Sequence, residues 1–150
     1  MLNKEQLPTS APTQPRCPIS FAMDMFGDRW SLILMRDMML FGKRRYSEFQ
    51  ASGEGISTNI LADRLKRLQQ LALIDKFPDP ANGKTSIYLP TDKGLSLFPV
   101  LLEIIRWGLQ HDERASVTEA VTSALEGDSR DLAGKICSQV QAERHALQQH

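Results

Sequence analysis

The stretch from Ile56 to Lys93 reads ISTNILADRLKRLQQLALI and then DKFPDPANGKTSIYLPTDK. Its first half sets leucines at 61, 65, 68 and 71, with Ala72 beside the last, a spacing that gives one buried stripe on a helix. Ser57 stands where an N-cap accepts backbone N–H groups two or three positions on, and Ile56 is placed as a staple toward the first turn. The opposite face carries Thr58, Asn59, Ala62, Lys66 and Gln69, with Asp63, Arg64 and Arg67 on the flanks. Leu73-Ile74 then leads into a strand, Pro78, Pro80, Asn82 and Gly83 mark a hairpin tip, and Thr85 to Pro90 returns. A capped, basic helix that runs directly into a long hairpin with a lysine-bearing tip fits one element to the major groove of DNA. The other then reaches the flanking backbone or minor groove. The expected fold is therefore mainly α with a small β-hairpin, a winged helix-turn-helix.

Upstream, residues 1–16 carry three prolines and few large apolar groups, which predicts a flexible arm. Order should begin near Cys17-Pro18, with Pro18 in a first helical turn and Ile19, Phe21, Ala22, Met25 and Phe26 as an apolar face that ends at Gly27. Asp28 is placed to cap a helix from Arg29 to Leu40. Apolar residues lie nearly all the way round it, so it should be central, and Phe41-Gly42 should stop it. Lys43, Arg44 and Arg45 then read as an exposed, phosphate-facing turn, and Tyr46 opens a short helix that finishes by Gly53.

Downstream, Thr91 should cap a helix to about His111, kinked at Pro99, with a stripe of Leu95, Phe98, Leu101, Leu102, Ile105 and Leu109. Ile104 widens the stripe and Trp107 lies off it. That is more apolar surface than a monomer of 150 residues can bury, so self-association is expected. From Ser116 the chain is polar, with two weaker helical patterns split near Gly127-Asp128. The expected organisation is an arm at 1–16, a winged-helix domain at 17–112 and a helical extension at 113–150.

The bulk numbers agree with a DNA reader without demanding one. Eighteen Lys and Arg balance eighteen Asp and Glu, yet Lys43 to Arg67 holds six cations against Glu48, Glu54 and Asp63. A small DNA reader needs a basic face, not a basic whole. No apolar run approaches the length of a membrane helix and no signal pattern opens the chain, so a cytoplasmic protein is expected. Two cysteines, Cys17 and Cys137, do not make a disulfide framework.

These residues carry a family resemblance. The pieces are CPI at 17–19, GDRWSLILMRD at 27–37, FGKRRYSEF at 41–49 and ISTNILADRL at 56–65. LIDK at 73–76, YLPTDKG at 88–94, and Leu97-Phe98-Pro99-Val100 followed by Trp107-Gly108 complete the set. In this order and spacing the chain, from about Cys17 to Gln110, resembles HxlR-type winged-helix transcriptional regulators. The resemblance implies a homodimer formed through the first and last family helices, with the Ser57–Leu71 helix of each subunit in a major groove. It also implies that Cys17 occupies the position at which some members sense electrophiles or oxidants. The sequence departs from the family at Asn59, where lysine is common, in a longer and less basic wing, and in the tail beyond about residue 115.

Double-stranded DNA is the expected partner, with Tyr46, Ser47, Ser57, Thr58, Asn59, Arg64, Lys66, Lys84 and Thr85 as candidate contacts. Asn59 can pair bidentately with adenine, and Arg64 or Lys66 can reach guanine or phosphate. Ser57 is first a helix cap, Tyr46 is equally readable as a core residue with a wet hydroxyl, and Lys84 and Thr85 suit backbone or minor-groove contact. Cys17 at a helix start, beside Arg16, is the candidate regulatory thiol, against the commoner role of cysteine as a small hydrophobe. Cys137 becomes its disulfide partner only if dimerisation brings the two together.

No catalytic residues, metal site or cofactor are expected. His111, His145 and His150 lack ligand spacing with either cysteine, and Gly53-x-Gly55 has no third glycine. Trp30, Trp107, Met23, Met25, Met35, Met38 and Met39 are core residues or, alternatively, the lining of an effector pocket near the dimer interface. Two further readings use the same fold without specific DNA binding, a protein-interaction module and a small-molecule-binding dimer.

Overall fold

A computed structural model describes residues 15–150, so the expected arm lies outside the described residues except for Pro15 and Arg16. Helix α1 (Pro18–Phe26) starts with Pro18 in its first turn, where no N–H is needed, and ends at Gly27. Helix α2 (Arg29–Leu40) is capped by Asp28, whose carboxylate accepts the Ser31 N–H at 2.9 Å. Phe41 closes it, and Gly42 follows with φ +63, a left-handed turn that suits glycine. Helix α3 (Tyr46–Gln50) and helix α4 (Thr58–Gln70) form the helix-turn-helix, joined by the turn at Ser52–Gly55.

The core is built around α2. Leu34, Met35 and Met38 meet Phe49 of α3, the Leu61, Leu65 and Leu68 stripe of α4, and Phe98 and Leu102 beyond the hairpin. Burying side chains of this size contributes about 1.5–3 kcal/mol each relative to exposure, and that stripe, not helix propensity, is what holds α4. Ala72 leaves the expected stripe. It is exposed at φ +56 and serves as the left-handed stop of α4.

Strands β1 (Ile74–Asp79) and β2 (Asn82–Pro90) pair antiparallel, from Ile74 opposite Pro90 to Asp79 opposite Asn82, with a bulge at Pro78/Asp79. The hairpin is longer than expected, leaving only Pro80-Ala81 at its tip. Pro78 lies inside β1 next to the bulge, the kind of place where a strand tolerates a residue without an N–H. Along β2 the side chains alternate: Tyr88 joins the main core edge-on to Phe49, with ring centroids 6.2 Å apart, while Ile87 and Leu89 face the other way.

One kinked helix was expected after the hairpin, and two are found. Helix α5 (Asp92–Leu95), capped by Thr91, stops at Ser96, and helix α6 (Phe98–His111) begins with Pro99 in its first turn. A proline inside a helix removes a hydrogen bond and clashes with the preceding turn, whereas at a helix start it costs nothing. The chain takes the second course. Gly94 lets α5 pass close to the corner between α4 and β1, since a Cβ there would sit 2.1 Å from the Leu73 carbonyl oxygen.

The tail forms helix α7 (Glu119–Glu126) and helix α8 (Ser129–Gln148), divided at Gly127-Asp128, and Asp128 caps the second. Val140 of α8 is buried against Ile87 and Leu89 of the hairpin, while Leu132, Ala133 and Ile136 of the same helix pack on the main core. No helix among the described residues is long and apolar enough to cross a membrane.

Candidate nucleic-acid interface

Helix α4 turns its leucines inward and leaves Thr58, Asn59, Ala62, Asp63 and Lys66 in solvent. Ser57 caps it, accepting the Ile60 N–H at 3.3 Å. The Tyr46 hydroxyl donates to the Thr58 carbonyl at 2.9 Å, so this half-buried ring ties α3 to the first turn of α4, while Ser47 beside it is exposed. The structure thus brings Tyr46, Ser57 and Thr58 together at one helix end. Neither reading of Tyr46 anticipated that its hydroxyl would be engaged by the Thr58 carbonyl.

The flanking cations are largely committed within the molecule. Arg64 donates through Nε to Asp28 at 2.9 Å and through Nη1 to Asp63 at 2.6 Å, linking α4 to the start of α2. Asp28 therefore both caps α2 and anchors α4. Burial pushes its carboxyl up, but the Ser31 hydroxyl and amide and the Arg64 guanidinium outweigh that and hold it below the usual carboxylate range. Arg67 donates to the Asp24 carbonyl at 2.6 Å. Lys66 makes no ion pair or hydrogen bond among the described residues and stands on the exposed face beside Asn59 and Ala62.

The turn expected to be exposed is instead paired within the molecule. Lys43 donates to buried Asp37 at 3.1 Å, and Arg44, only 7% exposed, is pinned by Glu143 of α8 and by the Met38 carbonyl. Arg45 donates to Asp79 of the hairpin at 2.6 Å. All three neutralise buried or half-buried carboxylates, because unpaired charges inside a domain are far costlier than exposed ones. Local spacing could not reveal the Arg45 and Arg44 pairs, because Asp79 and Glu143 lie 34 and 99 residues away.

At the hairpin tip, Asp79 accepts from Arg45, from the Ala81 N–H at 2.9 Å and from the Thr85 hydroxyl at 3.1 Å. The Arg45 hydrogen bond, then the Ala81 amide, pull its carboxyl down to about 2. Thr85 is thus spent on shaping the tip, while Lys84 is exposed beside it. The wing tip is a turn held by the Arg45–Asp79 pair, with Lys84 exposed on β2 and Lys76 exposed on β1.

Cys17 is exposed as the N-cap residue of α1. The Ser20 and Ile19 amides at the open helix start, with the Ser20 hydroxyl, hold its thiol below the ordinary cysteine value. Arg16 is not the cause. Its guanidinium is turned to Asp24 and over the Phe21 ring. Cys137 is half-buried on α8, and both thiols are free.

Of the residues weighed as a pocket lining, Met35, Met38 and Met39 are core, and Trp30 packs partly buried against it. Trp107 is 66% exposed and lines a shallow groove of about 470 Å³ with Pro99, Val100, Glu103 and Ile104. Ile19, Phe21 and Met23 of α1 are exposed as well.

An α3–α4 pair, a charge-locked hairpin and an outward polar face on α4 define a winged helix-turn-helix regulator. Residues 25–116 match the HxlR-like helix-turn-helix family model, and the chain belongs to that family of transcriptional regulators. It is 32% identical over 87 residues to an uncharacterised HTH-type transcriptional regulator of Mycobacterium tuberculosis, MT3179, covering 58% of this chain and 54% of that one. The chain spans about half the length of the first curated relatives it matches. Among solved structures it is similar to PA1607, described as a candidate transcription factor, at 36% identity and a TM-score of 0.62, covering 70% of this chain and 73% of that one. It is also similar to the redox regulator HypR in its oxidised form, at 27% identity and a TM-score of 0.58, covering 64% of this chain and 98% of that one.

Proposed function

We propose that the protein is a homodimeric, DNA-binding transcriptional regulator that reads an inverted-repeat operator with α4 and answers a small-molecule or thiol-reactive signal. The observation that carries this is the outward face of α4. Thr58, Asn59 and Lys66 stand free there in a chain whose other nearby cations are committed to internal pairs. Asn59 suits an adenine edge, Lys66 a guanine or a phosphate, and Ser47 and Lys84 the backbone on either side. Ser57 and Tyr46 act by holding the end of α4 in place, and Arg64 and Thr85 by fixing the helix and the wing that make contact.

Dimerisation through the exposed faces of α1 and α6 would set two α4 helices about 34 Å apart, one helical turn of DNA. Cys17 is then well placed as the switch, since it stands at the N-cap of α1, the proposed interface helix, and its thiol is exposed with a lowered pKa. The likeness to a redox regulator supports this reading. Modification of Cys17 would reorient α1 and so respace the two α4 helices.

The test is fluorescence anisotropy on duplex DNA from upstream of the protein's own gene, across a salt series, with reduced and oxidant-treated samples. Sequence-preferring binding that falls linearly in log–log with salt is expected. Asn59→Ala and Lys66→Ala should each weaken it, by about 1–3 kcal/mol for a residue that contacts a base. Binding that ignores both substitutions would sink the assignment of α4.

A further inference from the structure

The C-terminal extension, for which the sequence offered no role, packs on the main core through Ala124, Leu132 and Ile136 and also holds the hairpin and the turn beneath it. Adjacent residues of α8 point to different parts of the molecule. Glu143 receives the Arg44 guanidinium through two hydrogen bonds, Nε at 2.7 Å and Nη2 at 2.9 Å. The same guanidinium donates through Nη1 to the Met38 carbonyl at 2.8 Å, in the last turn of α2. The Arg44 carbonyl accepts the Tyr88 N–H of β2 at 2.8 Å.

Arg144 takes hold of the hairpin itself. It donates to the Pro90 carbonyl at 2.8 Å, at the end of β2, pairs with Asp75 of β1, and lies over the Phe77 ring at 5.5 Å. Val140, one turn before, is buried against Ile87 and Leu89. Both strands and the helix-turn-helix body are therefore gripped by one turn of α8.

A two-stranded hairpin is marginally stable alone and free to swing about its base. An antiparallel pair with one face on a core commonly leaves the other in water, and polar residues would be expected there. Here the run Ile87-Tyr88-Leu89 is apolar on both faces, and α8 covers the second one. We propose that α8 is a brace that sets the position of the wing, and that Glu143 and Arg144 are positioning residues for the contact made by Lys84. The inference rests on the DNA-binding reading above. It deepens that reading by giving the extension a part in DNA affinity.

The experiment is a double-mutant cycle between Arg144→Gln and Lys84→Ala, read by anisotropy on the same duplex over a salt series. Circular dichroism and thermal melting of each variant separate unfolding from repositioning. The expected result is that Arg144→Gln, still folded, weakens binding and lowers the salt slope by about one phosphate contact. Lys84→Ala should then cost clearly less in that background than in the wild type. Arg144→Lys keeps the charge but not the planar fork, and it should behave like the glutamine variant.

Effects of Arg144→Gln and Lys84→Ala that simply multiply would overturn the brace, as would full affinity in Arg144→Lys. Glu143→Gln provides a second route if Arg144→Gln does not fold, with the same loss of coupling to Lys84 expected. Wild-type protein that prefers no sequence would overturn the DNA-binding reading instead, and the brace with it.

Discussion

Cys17 and Lys66 show how single residues acquire a task from what surrounds them. Lys66 is available because Arg64 and Arg67, its neighbours on α4, are drawn away to Asp28 and to the Asp24 carbonyl. Cys17 owes its character to backbone, not to a charged neighbour, since Arg16 is engaged elsewhere. A thiol at a helix start whose pKa is lowered reacts faster at neutral pH than an ordinary one, because the thiolate is the nucleophile. Iodoacetamide at pH 7, followed by mass spectrometry of the peptides, should therefore modify Cys17 first, by roughly tenfold over half-buried Cys137. The pH profile of its rate should have a midpoint below that of a free cysteine peptide. Equal labelling of the two cysteines, or an unshifted midpoint, would remove the physical basis for Cys17 as a sensor.

At the scale of elements, the wing tip offers a pH test whose sign can be worked out. The Asp79 carboxyl is lowered from 3.8 to about 2, so its pairing stabilises the fold fully above pH 3.8 and is lost as pH falls through about 2. Urea midpoints of the wild type and of Asp79→Asn should differ clearly at pH 7 and converge between pH 4 and pH 2. Parallel curves down to pH 2 would show that Asp79 contributes nothing through its charge. The helices and the hairpin themselves were legible in the sequence because their signals are local: Asp28, Ser57 and Thr91 as caps, the leucine spacing of α4, and the Gly42 stop. The break at Ser96 instead of a kink at Pro99 was not. A proline's effect depends on whether the chain can place it in a first turn, and periodicity alone does not say where that turn begins. The candidate site was half legible. The exposed face of α4 follows from periodicity, but the consumption of Arg44, Arg45 and Arg64 by distant acids leaves no trace in local spacing.

For the whole molecule, the exposed apolar residues pose the main question. Ile19, Phe21 and Met23 of α1 and Val100, Ile104 and Trp107 of α6 are each at least 40% exposed, on a chain whose formal charge is zero. A soluble monomer with so little net charge to hold copies apart would be prone to associate through such faces. The resemblance named α1 and the last family helix as the interface, and the largest apolar exposures among the described residues fall on those two helices. Ile104→Glu combined with Trp107→Glu places two charges where apolar contact is needed. Both side chains lie on the surface, so the subunit should keep its helical signal and melting behaviour. Light scattering after gel filtration should show wild type at twice the 16.9 kDa chain mass and the variant at the chain mass. Because two linked half-site contacts gain avidity of at least about a hundredfold over one, operator affinity should fall by about that factor in the variant. If the wild type already runs at the chain mass, or the monomeric variant binds the operator as tightly, the two-fold arrangement fails, and α4 must read DNA one subunit at a time.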